Sequence, residues 1–140
     1  MTVRVAALGG SLLRPEVEDR QAWLRSLSES VMDITSRGIR LVLVVGGGAP
    51  AREGIELAKP LIGDDVEALD RIGIAATRLN ARIVSEALEC AGIQVPNTIP
   101  ESIENALSLA PTNSVVVMGG TVPGHTTDNV AIRMACALEA

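Results

Sequence analysis

Three times in this chain a short apolar run, partly β-branched, stops abruptly on glycine. TVRVAAL (2–8) runs into Gly9-Gly10, LVLVV (41–45) into Gly46-Gly47-Gly48, and VVVM (115–118) into Gly119-Gly120. Runs such as LVLVV, with no polar interruption, read as strands buried on both faces, the habit of a parallel sheet. Helical patterns separate them, so strand, glycine turn and helix alternate, which predicts an α/β fold with a mainly parallel sheet. In such sheets ligands collect outside the carboxyl ends of the strands. The three glycine turns are therefore expected on one shared edge, and that edge is the expected functional surface.

The intervening patterns are legible. Residues 16–36 place Val17, Trp23, Leu24, Leu27, Val31 and Ile34 on one helical face, with Gly38 as a C-terminal cap. Pro50 suits the start of a helix, where a missing amide donor costs least. From Asp64 to Ala91 runs the longest helical pattern, with Val66, Leu69, Ile72, Ala76, Leu79, Ile83, Ala87 and Cys90 at steps of three and four, ended by Gly92. Gly73 inside it costs roughly 1 kcal/mol against alanine and marks close packing or a bend. A short strand is expected at Ile93–Val95, a short helix at Glu101–Leu109, and a last helix at Asn129–Glu139, capped by Thr127 or Asp128.

Composition narrows the function classes. A chain of 140 residues, 47% hydrophobic and 21% charged, can bury one core and is neither disordered nor two domains. It has no Phe or Tyr and a single Trp, Trp23, with a net charge of −5. A nucleic-acid binder would want stacking platforms and a basic surplus, so nucleic acid is not an expected partner. The apolar runs, about six residues at most, are too short for a bilayer span, and the N-terminus lacks the pattern of a signal peptide. The chain reads as soluble and cytoplasmic. Cys90 and Cys136 match no metal-ligand spacing and read as small semi-buried side chains in a reducing cytosol. His125, the one histidine, cannot build a histidine metal site alone, and no protein metal site is expected.

A glycine at a strand end serves either a tight turn or the close approach of a phosphate cradled by backbone amides. Three such turns on one edge favour phosphate. The second turn, GGGAPAR, is not a Walker loop. Through Gly46, Gly48 and Ala51 it satisfies the loose dinucleotide fingerprint, but the acid that fingerprint requires at the next strand tip is lacking, because Asp70 falls inside a helical pattern. Arg52, one turn into the following helix, is either a phosphate fork or a solvated arginine. The segment MGGTVPGHTTDNVA (118–131) gathers glycines, threonines and an acid before a helix, a dense donor set for an anionic or polyhydroxy ligand. Pro123 stiffens that loop and Gly124 frees it. His125 is a ligand contact or an exposed loop residue, and Asp128 a ligand contact or a helix cap.

ALGGSLLRPE (7–16), VVGGGAPARE (44–53), LDRIGIAATRLNARI (69–83) and VMGGTVPGHTTDNVA (117–131) resemble, in order and spacing, the amino-acid-kinase superfamily, and most closely its archaeal-type uridylate (UMP) kinases. The resemblance implies a three-layer α/β/α fold and phosphoryl transfer from ATP-Mg²⁺ to UMP, giving UDP in pyrimidine nucleotide synthesis. It places Gly9 and Gly10 where the transferred phosphate passes, and Gly47, Gly48 and Arg52 on phosphates. Asp70 would take the ribose hydroxyls. Pro123, Gly124, His125, Thr126, Thr127, Asp128 and Asn129 would wrap the uridine and its phosphate, with the two threonines as hydroxyl donors. Such a site needs positioning and charge neutralisation more than a nucleophile and base.

Two positions depart from the family's pattern. Ala7 stands where many members have a Lys before the first glycine pair, and Ala49 where many such uridylate kinases have one after the triple glycine. Family members continue beyond the last helix into a second half that binds the adenosine of ATP. Residues 1–140 therefore read as a single phosphoacceptor-binding N-terminal domain, apparently without its C-terminal half, and the expected partners are UMP and ATP. Homo-oligomers, dimers or hexamers, are implied, and a partner chain carrying the second half is expected if the chain is one part of a split kinase. The competing expectations are a non-catalytic mononucleotide-binding or assembly module and a dinucleotide-binding Rossmann domain. Kinases of acylated amino acids, aspartate or carbamate share the first two turns and are disfavoured by the GHTTD-type third loop.

Overall fold

A computed structural model of the chain describes residues 2–9 and 17–139. The elements run β1 (Val3–Leu8), α1 (Val17–Ser36), β2 (Arg40–Val45), α2 (Gly48–Ile62), α3 (Val66–Cys90), α4 (Ile103–Leu109), a single 3₁₀ turn (Ala110–Thr112), β3 (Val115–Met118) and α5 (Thr127–Leu138). The three strands form one parallel sheet in the order β1-β2-β3. All four residues of β3 are buried, as are five of the six in β2. This is what an uninterrupted apolar strand requires when both faces are covered.

The side-chain alternation of β2 sorts the core into two layers. Leu41, Leu43 and Val45 pack with Val31 of α1 and with Ala81, Val84 and Leu88 of α3. Val42 and Val44 pack on the other face with Ala106 of α4 and with Val130 and Met134 of α5. Burying side chains such as Leu88 and Met134 stabilises the fold by roughly 1.5–3 kcal/mol each. Helices thus lie on both faces of the sheet. Gly38 and Gly92 end α1 and α3 at φ of +80° and +88°, a conformation costly for any side chain with a Cβ.

Several expectations need correction. Residues 93–95 form no strand; Gln94 O accepts one 3.3 Å hydrogen bond from Val115 N, which lays the segment along the outer side of β3 without a ladder. Helix α5 is capped neither by Thr127 nor by Asp128. Thr126 caps it, its side chain accepting from Asn129 N at 3.1 Å. Cys90 and Cys136 are both exposed rather than semi-buried. The face of α3 that enters the core is Thr77, Asn80, Ala81, Val84, Ser85 and Leu88. The apolar stripe through Val66, Leu79 and Ile83 faces outward instead, and these three residues are 67%, 55% and 41% exposed. Close approach of α3 to the glycine turns selects a face of small and polar residues.

Candidate functional site

Two glycine turns and the middle of α3 enclose a pocket of about 380 Å³ at the carboxyl edge of the sheet. One wall is the start of α2, with Gly47, Gly48, Ala51, Arg52 and Ile55. Leu69, Asp70, Gly73, Ile74 and Thr77 of α3 form the floor. Gly120, Val122, Gly124, His125, Thr126 and Thr127 close the far side, at the start of α5.

The walls are held by side chains that the sequence reading assigned no role. Thr77 is buried. Its hydroxyl donates to Ile74 O at 2.6 Å and accepts from Gly120 N at 2.7 Å, pinning the third glycine turn to α3. Asn80, also buried, donates from Nδ2 to Gly46 O and to Gly47 O, both at 2.9 Å, and so pins the second turn. Arg78 donates to Gly120 O at 3.3 Å and to Thr121 O at 3.1 Å, and pairs with Glu101 at 3.3 Å. The available signal was Thr77 and Asn80 within the segment TRLN, polar residues three apart on one side of an amphipathic helix.

The glycines are required by this closeness. A Cβ on Gly119 would lie 2.5 Å from Thr77 Oγ1 and 2.8 Å from the backbone carbon of Thr77. Gly48 begins α2 at φ +59°. Gly46 brings the first turn into the same place: a Cβ there would meet Leu8 O at 3.5 Å, Gly9 Cα at 3.6 Å and Thr127 Oγ1 at 3.7 Å. The expectation of one shared edge is met.

Two helix N-termini converge on the pocket. The first intrahelical bond of α2 runs from Ala51 N to Gly47 O at 3.5 Å, and no side chain caps the helix, so the amides of Gly48 and Ala49 have no partner within it. The start of α5 lies across the pocket through Thr126 and Thr127. Helix N-termini carry partial positive charge, and Arg52 adds a full one, which suits an anion such as a phosphate. Asp70 supplies the opposite character. Its Oδ2 accepts from Gly124 N at 3.0 Å, tying the loop to α3 and leaving a carboxylate at the pocket.

Of the residues singled out in the sequence, Gly47, Gly48, Arg52, Asp70, Gly124, His125, Thr126 and Thr127 line this one pocket. Gly9 does not; it flanks the site beside Gly46 and lines a neighbouring hollow with Trp23, Ser26 and Ser30. Gly10 lies outside the described residues. Pro123 and Asp128 are exposed and lie off the lining. Asn129 is engaged within α5, accepting from Arg133 Nε at 2.7 Å. Among the described residues no three His, Cys, Asp or Glu side chains form a group that could hold a metal ion. These residues do not fit a protein-held magnesium. Among the same residues no helix is long and apolar enough to cross a membrane.

The amino acid kinase family model matches residues 2–140. The uridylate kinase of Natronomonas pharaonis is 39% identical over 136 residues, 97% of this chain and 57% of its own. That of Methanopyrus kandleri is 40% identical over 135 residues, 96% of this chain and again 57% of its own. The crystal structure of uridylate kinase from Archaeoglobus fulgidus superposes with a TM-score of 0.83 at 38% identity, covering 100% of this chain and 60% of that one. Aspartate kinase from Synechocystis, at 18% identity and a TM-score of 0.71, shares the fold. The chain thus spans little more than half the length of the curated relatives it matches.

Proposed function

The chain belongs to the amino acid kinase family, and on that premise we propose that its pocket binds UMP as the acceptor in phosphoryl transfer from ATP, giving UDP for pyrimidine nucleotide synthesis. The chain supplies mainly the acceptor side. The observation that carries this reading is the convergence of two helix N-termini and Arg52 on a pocket whose floor presents Asp70. The phosphate would sit at the amides of Gly48 and Ala49 and at Arg52, where Ala49 replaces a lysine and backbone charge takes its place. The ribose hydroxyls would reach Asp70. Thr126 and Thr127 bring hydroxyls to the same ligand, and uracil would be read by the loop backbone without stacking.

The ATP side is less built. Gly9 borders Gly46 and would line the path of the transferred phosphate. ATP would arrive with its Mg²⁺ coordinated largely by phosphate oxygens, and the adenosine would be held by groups beyond those described. Phosphoryl transfer depends on positioning and charge neutralisation, so an acceptor half can bind without turning over. That supports a second reading, a non-catalytic mononucleotide-binding module, since the pocket is lined entirely by these residues. The exposed Leu79 and Ile83 on α3 support self-association, as dimers or hexamers, of a cytoplasmic protein.

Thermal-shift titration with UMP, CMP, AMP and NAD tests the assignment. UMP at a hundred times its Kd adds about 2.7 kcal/mol, a rise of several degrees, and Arg52→Ala reduces it. Indifference to UMP alongside a clear response to another of the four would overturn the UMP assignment.

A further inference from the structure

The loop after β3 uses most of its backbone donors and leaves two over. Gly120 N donates to Thr77 Oγ1 at 2.7 Å, Gly124 N to Asp70 Oδ2 at 3.0 Å and His125 N to Val122 O at 3.3 Å. Pro123 has no N–H to place. The amides of Thr121 and Val122 make no hydrogen bond to any described residue. Thr121 is half-buried and Val122 exposed, so both donors are within reach of a ligand.

Arg78 fixes the direction of those two amides. Its Nε donates to Gly120 O at 3.3 Å and its Nη2 to Thr121 O at 3.1 Å, so one planar fork holds two successive carbonyls. Every peptide bond described is trans, and across a trans peptide the N–H points opposite to the C=O. Holding both carbonyls on the Arg78 side therefore sends the N–H groups of Thr121 and Val122 to the other side. Gly120 and Val122 line the pocket and Arg78 does not, so that other side is the pocket. Successive amides turned to one side form a concavity for an acceptor atom. The remaining guanidinium nitrogen, Nη1, pairs with Glu101 Oε1 at 3.3 Å. Glu101 is itself fixed, standing between Asn97, whose carbonyl Arg82 holds at 3.0 Å, and Ser102, the cap of α4. Its side chain is 67% exposed. So open an ion pair adds little stability; what it does is keep the fork in register with the two carbonyls.

We propose that Arg78, oriented by Glu101, is a positioning residue that makes the pocket select uracil over cytosine. The inference rests on the reading of the pocket as a UMP site. Two neighbouring donors suit one carbonyl oxygen of the base. Cytosine carries an amino group in place of one of uracil's two carbonyl oxygens, and there it sets donor against donor. Arg78 touches neither base nor phosphate. It acts through the two peptide planes whose far ends it holds.

The test is calorimetric titration of the 140-residue chain with UMP and with CMP, beside urea unfolding of each variant. The wild-type chain is expected to prefer UMP by about tenfold or more, the worth of a hydrogen bond gained and an opposed donor avoided. Arg78→Gln releases both carbonyls and is expected to bring the two affinities close to parity, mainly by weakening UMP. Arg78→Lys, a point charge that cannot fork across two carbonyls, is expected to fall between them. Glu101→Gln is expected to lower the preference about threefold with an unchanged urea midpoint, which keeps the test decisive if the Arg78 variants fold poorly. Equal weakening of both nucleotides, the mark of a merely structural role, would overturn this inference, as would a preference retained in both Arg78→Gln and Glu101→Gln; either result leaves the UMP assignment standing. A wild-type chain without the preference would overturn both.

Discussion

Thr77, itself buried, uses its hydroxyl in both directions, as donor to Ile74 O and acceptor from Gly120 N. Thr77→Val keeps the shape and orphans the Gly120 amide. A buried unsatisfied amide costs about 1–3 kcal/mol, so chemical denaturation should show a loss of that size, and Thr77→Ser should restore most of it. Asn80→Asp should be worse than Asn80→Ala, because it turns a carboxylate toward the two carbonyls that the amide now serves. Equal midpoints for the two variants would refute that ordering. Gly119→Ala forces a methyl group against the α3 backbone at Thr77 and Arg78, where a flexible side chain cannot simply swing away. Overpacking of this kind costs roughly 1–3 kcal/mol, and reduced UMP response should accompany it, since Gly120 lines the pocket.

At the scale of elements, α3 is the part whose role changed between sequence and structure. Its apolar residues recur at helical spacing, and such a stripe ordinarily marks the buried face. Here the inward face is set instead by Thr77, Asn80, Ala81, Val84, Ser85 and Leu88. Two glycine turns crowd its first part, where only small or hydrogen-bonding side chains fit, and the apolar sheet receives the rest. Leu79 and Ile83 are left outward. Replacing both with Glu should barely affect melting, and sedimentation velocity should show any self-associated form of the chain shifting toward monomer. An unchanged distribution of oligomers would place that interface elsewhere. Residues 93–95 show the opposite case, a segment with strand composition that lacks a ladder, because composition does not supply a neighbouring backbone.

At the scale of the whole molecule, the three strands and their glycine turns were legible because buried parallel strands leave uninterrupted apolar runs and end on residues without a Cβ. The turns meet as expected, and eight of the residues singled out from motif spacing line one pocket. Residues 1–140 are expected to bind UMP while forming UDP from ATP at least about 100-fold more slowly than the Archaeoglobus fulgidus uridylate kinase, since adenosine binding would otherwise rest on solvent-exposed groups. A coupled assay of the two measures this, and comparable rates would show that these residues suffice. The sequence by itself determined the alternation of elements, the shared edge and the chemistry of the turns, because these are local consequences of side-chain volume, periodicity and backbone freedom. Only the tertiary structure decided which face of α3 turns inward, that Thr77 and Asn80 pin the two turns to α3, and that Asp70 ties down Gly124. Each of those depends on which distant backbone group comes within reach, and spacing along the chain carries no record of that.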